Sequence, residues 1–288
     1  MKKFLLSVLI IFLPTFCFSS YDAGYNYTSG PNAYKANDFS FNADVSKTLS
    51  LNFQYSAYSS SISSVTRTLY SGLNFNLGKN FNAGISLSIT PESEDYKTNS
   101  TGLNAGWGFS FDNKPLEESS WWLQLGANRQ NTNNSQRIYQ IRTKRYVWIN
   151  LEQSSFETNA SLRLFELTTL SLASTKYSYD KDLNTVQKGL YLLSSINPTL
   201  SNTLFMVQGF PGNSLTIGFE QNFWDYFNVS LNKTRIVYLL YKDYSDSILA
   251  EISTCYFQPF KFKIGFNTDQ SNTKDKSTYI SFGINYYF

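Results

Sequence analysis

One spacing in the sequence matches a catalytic pair, the serine and the lysine of Ser271-x-x-Lys274. In some acyl-transfer enzymes a lysine three residues after a serine activates the hydroxyl group. Here the pair lies in a polar segment, and no companion motif accompanies it. The chain also contains no histidine, which excludes Ser-His-Asp triads and imidazole metal sites. We therefore predict that the protein is not an enzyme and that it holds no metal and no cofactor.

Polar and charged side chains that share one face of a strand are the next candidates. Where apolar and polar residues alternate, the two kinds point to opposite faces. By this parity one polar residue and seven charged residues share the polar face: Asp44, Gln54, Glu157, Arg163, Glu220, Glu251, Lys261 and Lys263. Both signs of charge occur, so these groups form either a selectivity ring or pairs that neutralise each other.

The segment 131–153 is strongly basic. It contains four cations against a single acid, Glu152; the cations are Arg137, Arg142, Lys144 and Arg145. Guanidinium and ammonium groups in such a cluster are suited to phosphate. Two apolar runs inside the segment, 138–141 and 146–151, predict a hairpin.

The elements that position these side chains are predicted to be β-strands. Alternation with period two is clearest in 39–45, 49–57, 81–89 and 103–111, and it is typical of strands with one apolar face. Helical spacing is nowhere sustained. No linker or change of composition divides the chain, so residues 20–288 are predicted to form one domain.

Tight turns and longer polar connections alternate along the chain, as in a series of antiparallel hairpins. The predicted tight turns are 46–48, 78–80, 112–120, 165–166, 197–199, 222–226 and 258–259. The predicted longer connections are 59–64, 91–99, 131–153, 180–185, 242–246 and 268–276. Seven hairpins give fourteen strands, and the segments 21–28 and 277–288 add two more. An even count places both termini on one side, so we predict sixteen strands, with fourteen as the alternative.

Residues 1–19 have the pattern of a cleaved secretory signal peptide. Lys2 and Lys3 precede an apolar run that ends at Pro14, and Cys17 and Ser19 supply small residues at the predicted cleavage site. The run is too short to span about 30 Å of hydrocarbon as an anchor. Lipoprotein processing at Cys17 is the other alternative, although Phe16 stands where a small residue is needed. The formal net charge is only +3, so we predict no nucleic-acid partner.

The polar faces of the predicted strands carry mainly neutral residues, such as Ser50, Asn52 and Ser56. A soluble sheet would expose many charges there, whereas neutral polar faces suit a wet lumen. Aromatic residues gather near the predicted tight turns: Phe81, Phe111, Trp121, Trp122, Phe165, Phe223, Trp224, Tyr226, Phe227, Tyr256, Phe257 and Phe260. Such rings prefer the headgroup zone of a membrane. The apolar faces are therefore predicted to contact lipid.

The last twelve residues, 277–288, alternate strictly and end on phenylalanine. One face of this segment carries Ile280, Phe282, Ile284, Tyr286 and Phe288. The segment resembles the C-terminal assembly signal of Gram-negative outer-membrane β-barrel proteins, among them the porins. This resemblance implies a transmembrane antiparallel β-barrel with short periplasmic turns. It also implies that the barrel-assembly machinery inserts the chain into the bacterial outer membrane.

A closed barrel of fourteen to sixteen strands is too wide for its own side chains to fill. The predicted function is therefore a porin-like channel for passive diffusion of small hydrophilic solutes or ions. The polar-face residues would line the pore, and their four acids and three bases predict weak ion selectivity.

Several alternatives stay open at this stage. The basic segment 131–153 would bind lipopolysaccharide phosphates, fold inward as a constriction, or remain a solvated loop without a ligand. A surface-binding or structural barrel without an open pore, such as an adhesin, a phage receptor or a scaffold, is the alternative function. An enzyme that uses Ser271 is the third.

Overall fold

The strands of the chain form a closed antiparallel barrel. The computed structural model describes residues 20–61, 63–78, 80–93, 96–112, 114, 119–140, 145–181, 210–223, 226–239, 243–272 and 276–287. The strands are β1 (Ser20–Gly30), β2 (Tyr34–Ser46), β3 (Leu49–Ser60), β4 (Ser63–Asn76), β5 (Phe81–Ser93), β6 (Tyr96–Ser110), β7 (Trp122–Gln140), β8 (Arg145–Leu164), β9 (Thr168–Tyr179), β10 (Pro211–Phe223), β11 (Phe227–Tyr238), β12 (Tyr244–Thr254), β13 (Phe260–Ser271) and β14 (Lys276–Tyr287). Strands that follow each other in the chain are neighbours in the sheet, and β14 pairs with β1 to close it.

The strand count is fourteen, which was the alternative prediction; sixteen is wrong. β9 pairs directly with β10, from Thr168↔Gln221 to Lys176↔Asn213. The count of sixteen requires two more strands between them, flanking the predicted turn at 197–199. Because β9 and β10 are hydrogen-bonded to each other, the sheet has no place for such strands. The turn itself lies outside the described residues, as does the predicted signal peptide.

The predicted tight turns between described strands (46–48, 78–80, 112–120, 165–166, 222–226 and 258–259), which are called the short turns, lie at one end of the barrel with both ends of the described chain. Equally short connections, such as 61–62 between β3 and β4, also occur at the other end. The turn between β8 and β9 is the tightest kind of hairpin turn, in which Phe165 and Glu166 adopt φ values of 54° and 62°. Turns with two positive φ values match the twist of the flanking strands and normally use Asn or Gly. In this turn the Leu167 N–H donates to the Leu164 carbonyl at 3.3 Å. The ring of Phe165 is consequently held outside the strand ends, 65% exposed.

The long basic segment 131–153 is mostly strand, so its prediction as a loop is wrong. β7 and β8 pair without interruption from Trp122↔Arg163 to Gln140↔Arg145. The predicted inner hairpin is thus the tip of a much longer one. Strands also occupy most of the predicted loops 91–99 and 268–276. The alternating pattern fades in these strand ends because both faces carry polar residues, so periodicity alone could not detect them.

Apolar and polar residues are distributed in the opposite sense to a soluble protein. Large apolar side chains are exposed on the outer face, among them Leu103 (62%), Ile252 (58%) and Ile264 (57%). Most of the buried side chains are polar. A broad exposed apolar surface on a closed sheet is the signature of a transmembrane barrel. In the described part of the chain, no helix is both long enough and apolar enough to cross a membrane.

Aromatic rings surround the barrel at the end that carries the short turns. Phe257 is 62% exposed, the rings of Trp121 and Phe165 are 4.3 Å apart, and those of Tyr226 and Tyr256 are 5.5 Å apart. The predicted girdle therefore exists, with two reservations. Trp122 has the inward parity, opposite Arg163, and Trp224 lies outside the described residues.

Candidate functional site: the barrel lumen

The alternation of each strand places all eight predicted polar-face residues opposite the exposed apolar side chains. Asp44, Arg163, Glu220, Glu251, Lys261 and Lys263 lie within four residues of the strand ends that carry the short turns. Gln54 and Glu157 lie deeper along β3 and β8. All three of these bases are therefore near one end of the bore.

Neutral groups hydrogen-bond to Glu220, Glu157 and Arg163. Asn228 Nδ2 donates to Glu220 Oε1 at 2.6 Å, and Thr175 Oγ1 donates to Glu157 Oε2 at 3.3 Å. The Arg163 Nη2 donates to the backbone carbonyl of Glu166 at 2.8 Å. Hydrogen bonds from neutral groups thus help to hold these side chains in place.

Three further acids have the inward parity, and the sequence reasoning missed them. Asp22 accepts a hydrogen bond from Asn42 Nδ2 at 3.0 Å, Asp38 is only 6% exposed, and Asp269 accepts from Asn267 Nδ2 at 3.3 Å. Asp22 lies in the predicted segment 21–28, Asp38 lies one residue before the alternating stretch 39–45, and Asp269 lies in the predicted connection 268–276. Extending the parity of each strand to its true ends would have found them. Acids consequently outnumber bases among the described inward groups named here.

Glycines beneath asparagine and serine side chains form much of the lumen wall. The inward glycines with a neighbouring Asn or Ser oxygen less than 3.0 Å from a would-be Cβ are Gly24, Gly72, Gly84, Gly102, Gly106, Gly126, Gly218 and Gly265. At Gly84 the side-chain amides of Asn74 and Asn104 occupy the space that a Cβ atom would fill, and Asn104 Nδ2 donates to Asn74 Oδ1 at 3.3 Å. The polar groups therefore lie along the wall instead of projecting into the bore.

The other half of the lumen, towards the longer connections, carries a belt of inward tyrosines. Its members are Tyr34, Tyr58, Tyr70, Tyr96, Tyr177, Tyr179, Tyr238 and Tyr279. Two of their hydroxyl groups bond to the wall as follows: Tyr96 donates to Asn134 Oδ1 at 2.9 Å, and Tyr179 donates to the Pro211 carbonyl at 2.9 Å. The rings of Tyr34 and Tyr279 meet edge to face at 5.3 Å. Sequence reasoning did not single out this belt, although the inward parity of each tyrosine was a usable signal.

Small polar residues of the same half have very little exposed surface. Thr28, Thr90 and Ser100 are each 2% exposed, and Thr98 is 4% exposed. In the half near the short turns, by contrast, inward residues such as Asn42 and Lys261 keep intermediate exposure. These four wall residues are therefore covered by their neighbours, whereas Asn42 and Lys261 are partly open.

The predicted basic patch is only partly described. The guanidinium carbon of Arg137 lies 4.4 Å from the ring centre of Tyr146, so the hairpin itself engages this cation. Arg142 and Lys144 lie outside the described residues, and of Arg145 only the backbone pairing with Gln140 is described. β7 and β8 stay paired with each other beyond the points where β7 stops pairing with β6 and β8 stops pairing with β9.

The remaining candidates are at the end of the chain. β14 turns Ile280 (42% exposed) and Phe282 (52% exposed) outward, with Ile284 and Tyr286 on the same face; Phe288 lies outside the described residues. Their role as an assembly signal stays a prediction.

Ser271 ends β13 with inward parity opposite Ser245, while Lys274 is not described. The described residues contain no group of three or more potential metal ligands.

Comparisons with known proteins agree with the barrel architecture. No protein-family model matches the chain, and no curated protein matches it in sequence. The solved CymD monoaromatic hydrocarbon channel is similar with a TM-score of 0.52 at 8% identity, covering 93% of this chain and 87% of that one. The KdgM porin gives 0.42 at 10% identity, covering 93% and 99%. Pseudomonas aeruginosa OprD gives 0.48 at 11% identity, covering 93% and 94%. The similarity to CymD shows that the chain has the fold of a transmembrane β-barrel.

Proposed function

We propose that the protein is a porin-like channel of the bacterial outer membrane through which small hydrophilic solutes or ions diffuse passively. The observation that carries this proposal is the wall of inward glycines covered by flat-lying Asn and Ser side chains. Eight-stranded barrels are just wide enough to be filled by side chains, and the diameter grows with strand number. Fourteen strands with such a wall favour a water-filled bore. The polar wall hydrogen-bonds water and hydroxylated solutes without requiring a dedicated binding group.

The charge of the lumen supports a preference for cations. Asp38, Glu157 and Asp269 belong to the half of the lumen with the tyrosine belt, whereas Arg163, Lys261 and Lys263 are near the short turns. The wall of one half of the bore thus carries three acids, while the three named bases lie near the other end. Rings of acidic side chains favour cations in channels. The weak selectivity predicted from the sequence counted four acids and three bases, without the three acids found in the structure.

Reconstitution into a planar lipid bilayer tests the channel directly. We expect purified, heat-modifiable protein to produce stepwise increases of conductance at neutral pH, because a continuous polar bore lets hydrated ions pass. The control is the same preparation after heat denaturation. Folded protein that inserts into the bilayer without conducting would overturn the proposed function.

A second candidate function is a barrel that binds a partner at the cell surface and has no open pore. The observation that favours it is the very low exposure of Thr28, Thr90, Thr98 and Ser100 in the half with the tyrosine belt. A solute-accessible lumen would leave such wall residues open to water. Absence of conductance together with specific binding of intact cells or phage to the folded protein would support this candidate over the channel.

Replacing an inward glycine with a larger residue tests whether the glycine-rich wall sets the width of the bore. In Gly84→Leu the new side chain displaces the amides of Asn74 and Asn104 towards the bore, so we expect a smaller single-channel conductance than that of the parent protein. The matched control is Ala83→Leu, one residue earlier on the outer face, which should leave the conductance unchanged. Equal conductances for Gly84→Leu and the parent protein would show that the bore is not shaped by this wall.

A further inference from the structure

Two cations lie on the lipid-facing side of the barrel beside exposed apolar residues. Arg129 of β7 pairs with Phe156 of β8, and Phe156 pairs in turn with Lys176 of β9. Phe156 is 52% exposed, and Leu103, on the other side of Arg129, is 62% exposed. Arg129 and Lys176 are themselves exposed. The row Arg129–Phe156–Lys176 therefore places two charges and one ring on the outer surface.

Two other outward cations, Arg235 and Lys97, have anionic or aromatic partners. Arg235 binds Asp246 with Nε–Oδ1 and Nη2–Oδ2 distances of 2.7 and 2.8 Å. Lys97 lies 4.0 Å from Glu92 and 4.5 Å from the ring centre of Trp148. Among the described residues, Arg129 and Lys176 have no such ion pair or ring contact. The row is thus a site where positive charge faces the membrane without a protein partner.

The depth of the row in the membrane follows from strand geometry. Arg129 and Lys176 lie seven and eight residues after the first residues of β7 and β9, which start at the end with the short turns. With a rise of about 3.3 Å per residue and a tilt of about 40°, both lie roughly 18 to 20 Å above the aromatic girdle. The apolar band of such barrels is about 25 Å tall. The two cations are consequently near the boundary on the side of the longer connections.

The longest connection between strands, residues 180–210, and the extended hairpin of β7 and β8 lie at that end of the barrel. Outer-membrane barrels have short periplasmic turns and longer extracellular loops, so the boundary belongs to the outer leaflet. An uncompensated cation near hydrocarbon is unfavourable, and a phosphate group of the surrounding lipid supplies the missing charge. The two backbones are two strand spacings apart, about 10 Å, so the long side chains can converge on one phosphate between them. Asn131 and Ser154, joined by a 2.8 Å hydrogen bond, lie on the loop side of the row and add polar groups.

We propose that Arg129 and Lys176 form a binding site for a phosphate group of lipopolysaccharide, with Phe156 packed against its acyl chains. Charge-assisted hydrogen bonds from the guanidinium and ammonium groups hold the phosphate. The site is separate from the basic tip of the hairpin, where Arg137 stacks on Tyr146. It rests on the proposed outer-membrane location and is independent of conduction, so a folded barrel that does not conduct would leave it standing.

The test compares R129Q/K176Q with a control, K47Q/K114Q, which removes two exposed lysines from short turns on the other side of the membrane. Heat-modifiable protein in a zwitterionic detergent is titrated with purified lipopolysaccharide, and the thermal unfolding temperature and the lipopolysaccharide bound per barrel are measured. We expect the parent protein and the control to be stabilised. We expect R129Q/K176Q to lose at least half of that shift and of the bound lipid.

A parallel titration uses phosphatidylglycerol micelles. An unchanged shift in R129Q/K176Q would overturn the site, and equal stabilisation of the parent protein by phosphatidylglycerol would overturn the assignment to lipopolysaccharide. If R129Q/K176Q does not reach the heat-modifiable form, K176Q alone is measured against the same criteria.

Discussion

Replacing Phe53 with arginine is expected to lower the free energy of unfolding by about 2 to 4 kcal/mol, the cost of an arginine on the lipid face of a barrel near the bilayer midplane. Phe53 lies on the outer face of β3 and is 45% exposed. It pairs with Phe41 on one side and Ser71 on the other. None of these neighbours is charged, so the new guanidinium group has no ion-pair partner. It can be solvated only if the surrounding lipid distorts or water penetrates the bilayer.

The matched control is Gln54→Arg, the next residue of the same strand. Gln54 has the inward parity and donates to Ser56 Oγ at 3.3 Å, so an arginine there reaches the polar bore and should cost little. Both variants are compared with the parent protein by denaturant titration in lipid vesicles. Equal losses of stability at the two positions would show that the faces of β3 are assigned wrongly or that the bore is closed to water.

The contrast between these two neighbours explains why much of the fold could be predicted from the sequence. Wherever one face of a strand meets lipid and the other meets the lumen, the two solvents impose alternation, as in 49–57. Where strands extend beyond the lipid, as in the hairpin formed by β7 and β8, both faces are wet and the alternation disappears. Alternation therefore predicts the parts of the strands that lie in the membrane. The parts that extend beyond the lipid lack alternation, and they were predicted as loops. The strand count failed for a related reason, since polar residues around 197–199 resemble a turn whether or not strands flank them.

The lumen could be predicted only where its residues lie inside clear alternation. Gln54 and Glu157 were identified in this way. Asp269 was missed because it lies close to the end of β13, in a segment that reads as a polar loop. The tyrosine belt and the covered glycines depend on which residues of neighbouring strands lie side by side, as Gly84 does between Asn74 and Asn104. That register becomes visible only once the strands are paired.

The second large effect is expected in ion selectivity. We expect the parent protein to pass cations several-fold more readily than anions, because the acids Asp38, Glu157 and Asp269 lie in one half of the bore and the three bases Arg163, Lys261 and Lys263 lie near its other end. The triple variant Asp38→Asn, Glu157→Gln, Asp269→Asn should approach equal permeability. Reversal potentials in a salt gradient across a planar bilayer measure the ratio. Low ionic strength sharpens the contrast, since charges are screened beyond about 8 Å at 0.15 M salt.

The matched control for this experiment is Glu152→Gln. Glu152 is an exposed acid with the outward parity of β8, so its removal changes the net charge of the protein without changing the charge of the bore. The Glu152→Gln variant should have the same reversal potential as the parent protein. Lowering the pH towards 4, the ordinary pKa range of carboxyl groups, should weaken the preference of the parent protein, because protonation removes the negative charges. An anion preference in the parent protein would contradict the assignment of the lumen charges.

The seam between β1 and β14 has a consequence for the order of events during biogenesis. Residues from opposite ends of the chain, such as Tyr27 and Phe282, are neighbours in the finished sheet. Such distant contacts are slow to form, because a long loop has to close first. Until β14 docks, β1 and β13 each present an unpaired edge, and such edges recruit other strands and promote aggregation. A nascent chain that lacks its last strand is thus an open sheet with two edges that can pair with other chains. Recognition of β14 by the assembly machinery would therefore report that the whole barrel can close.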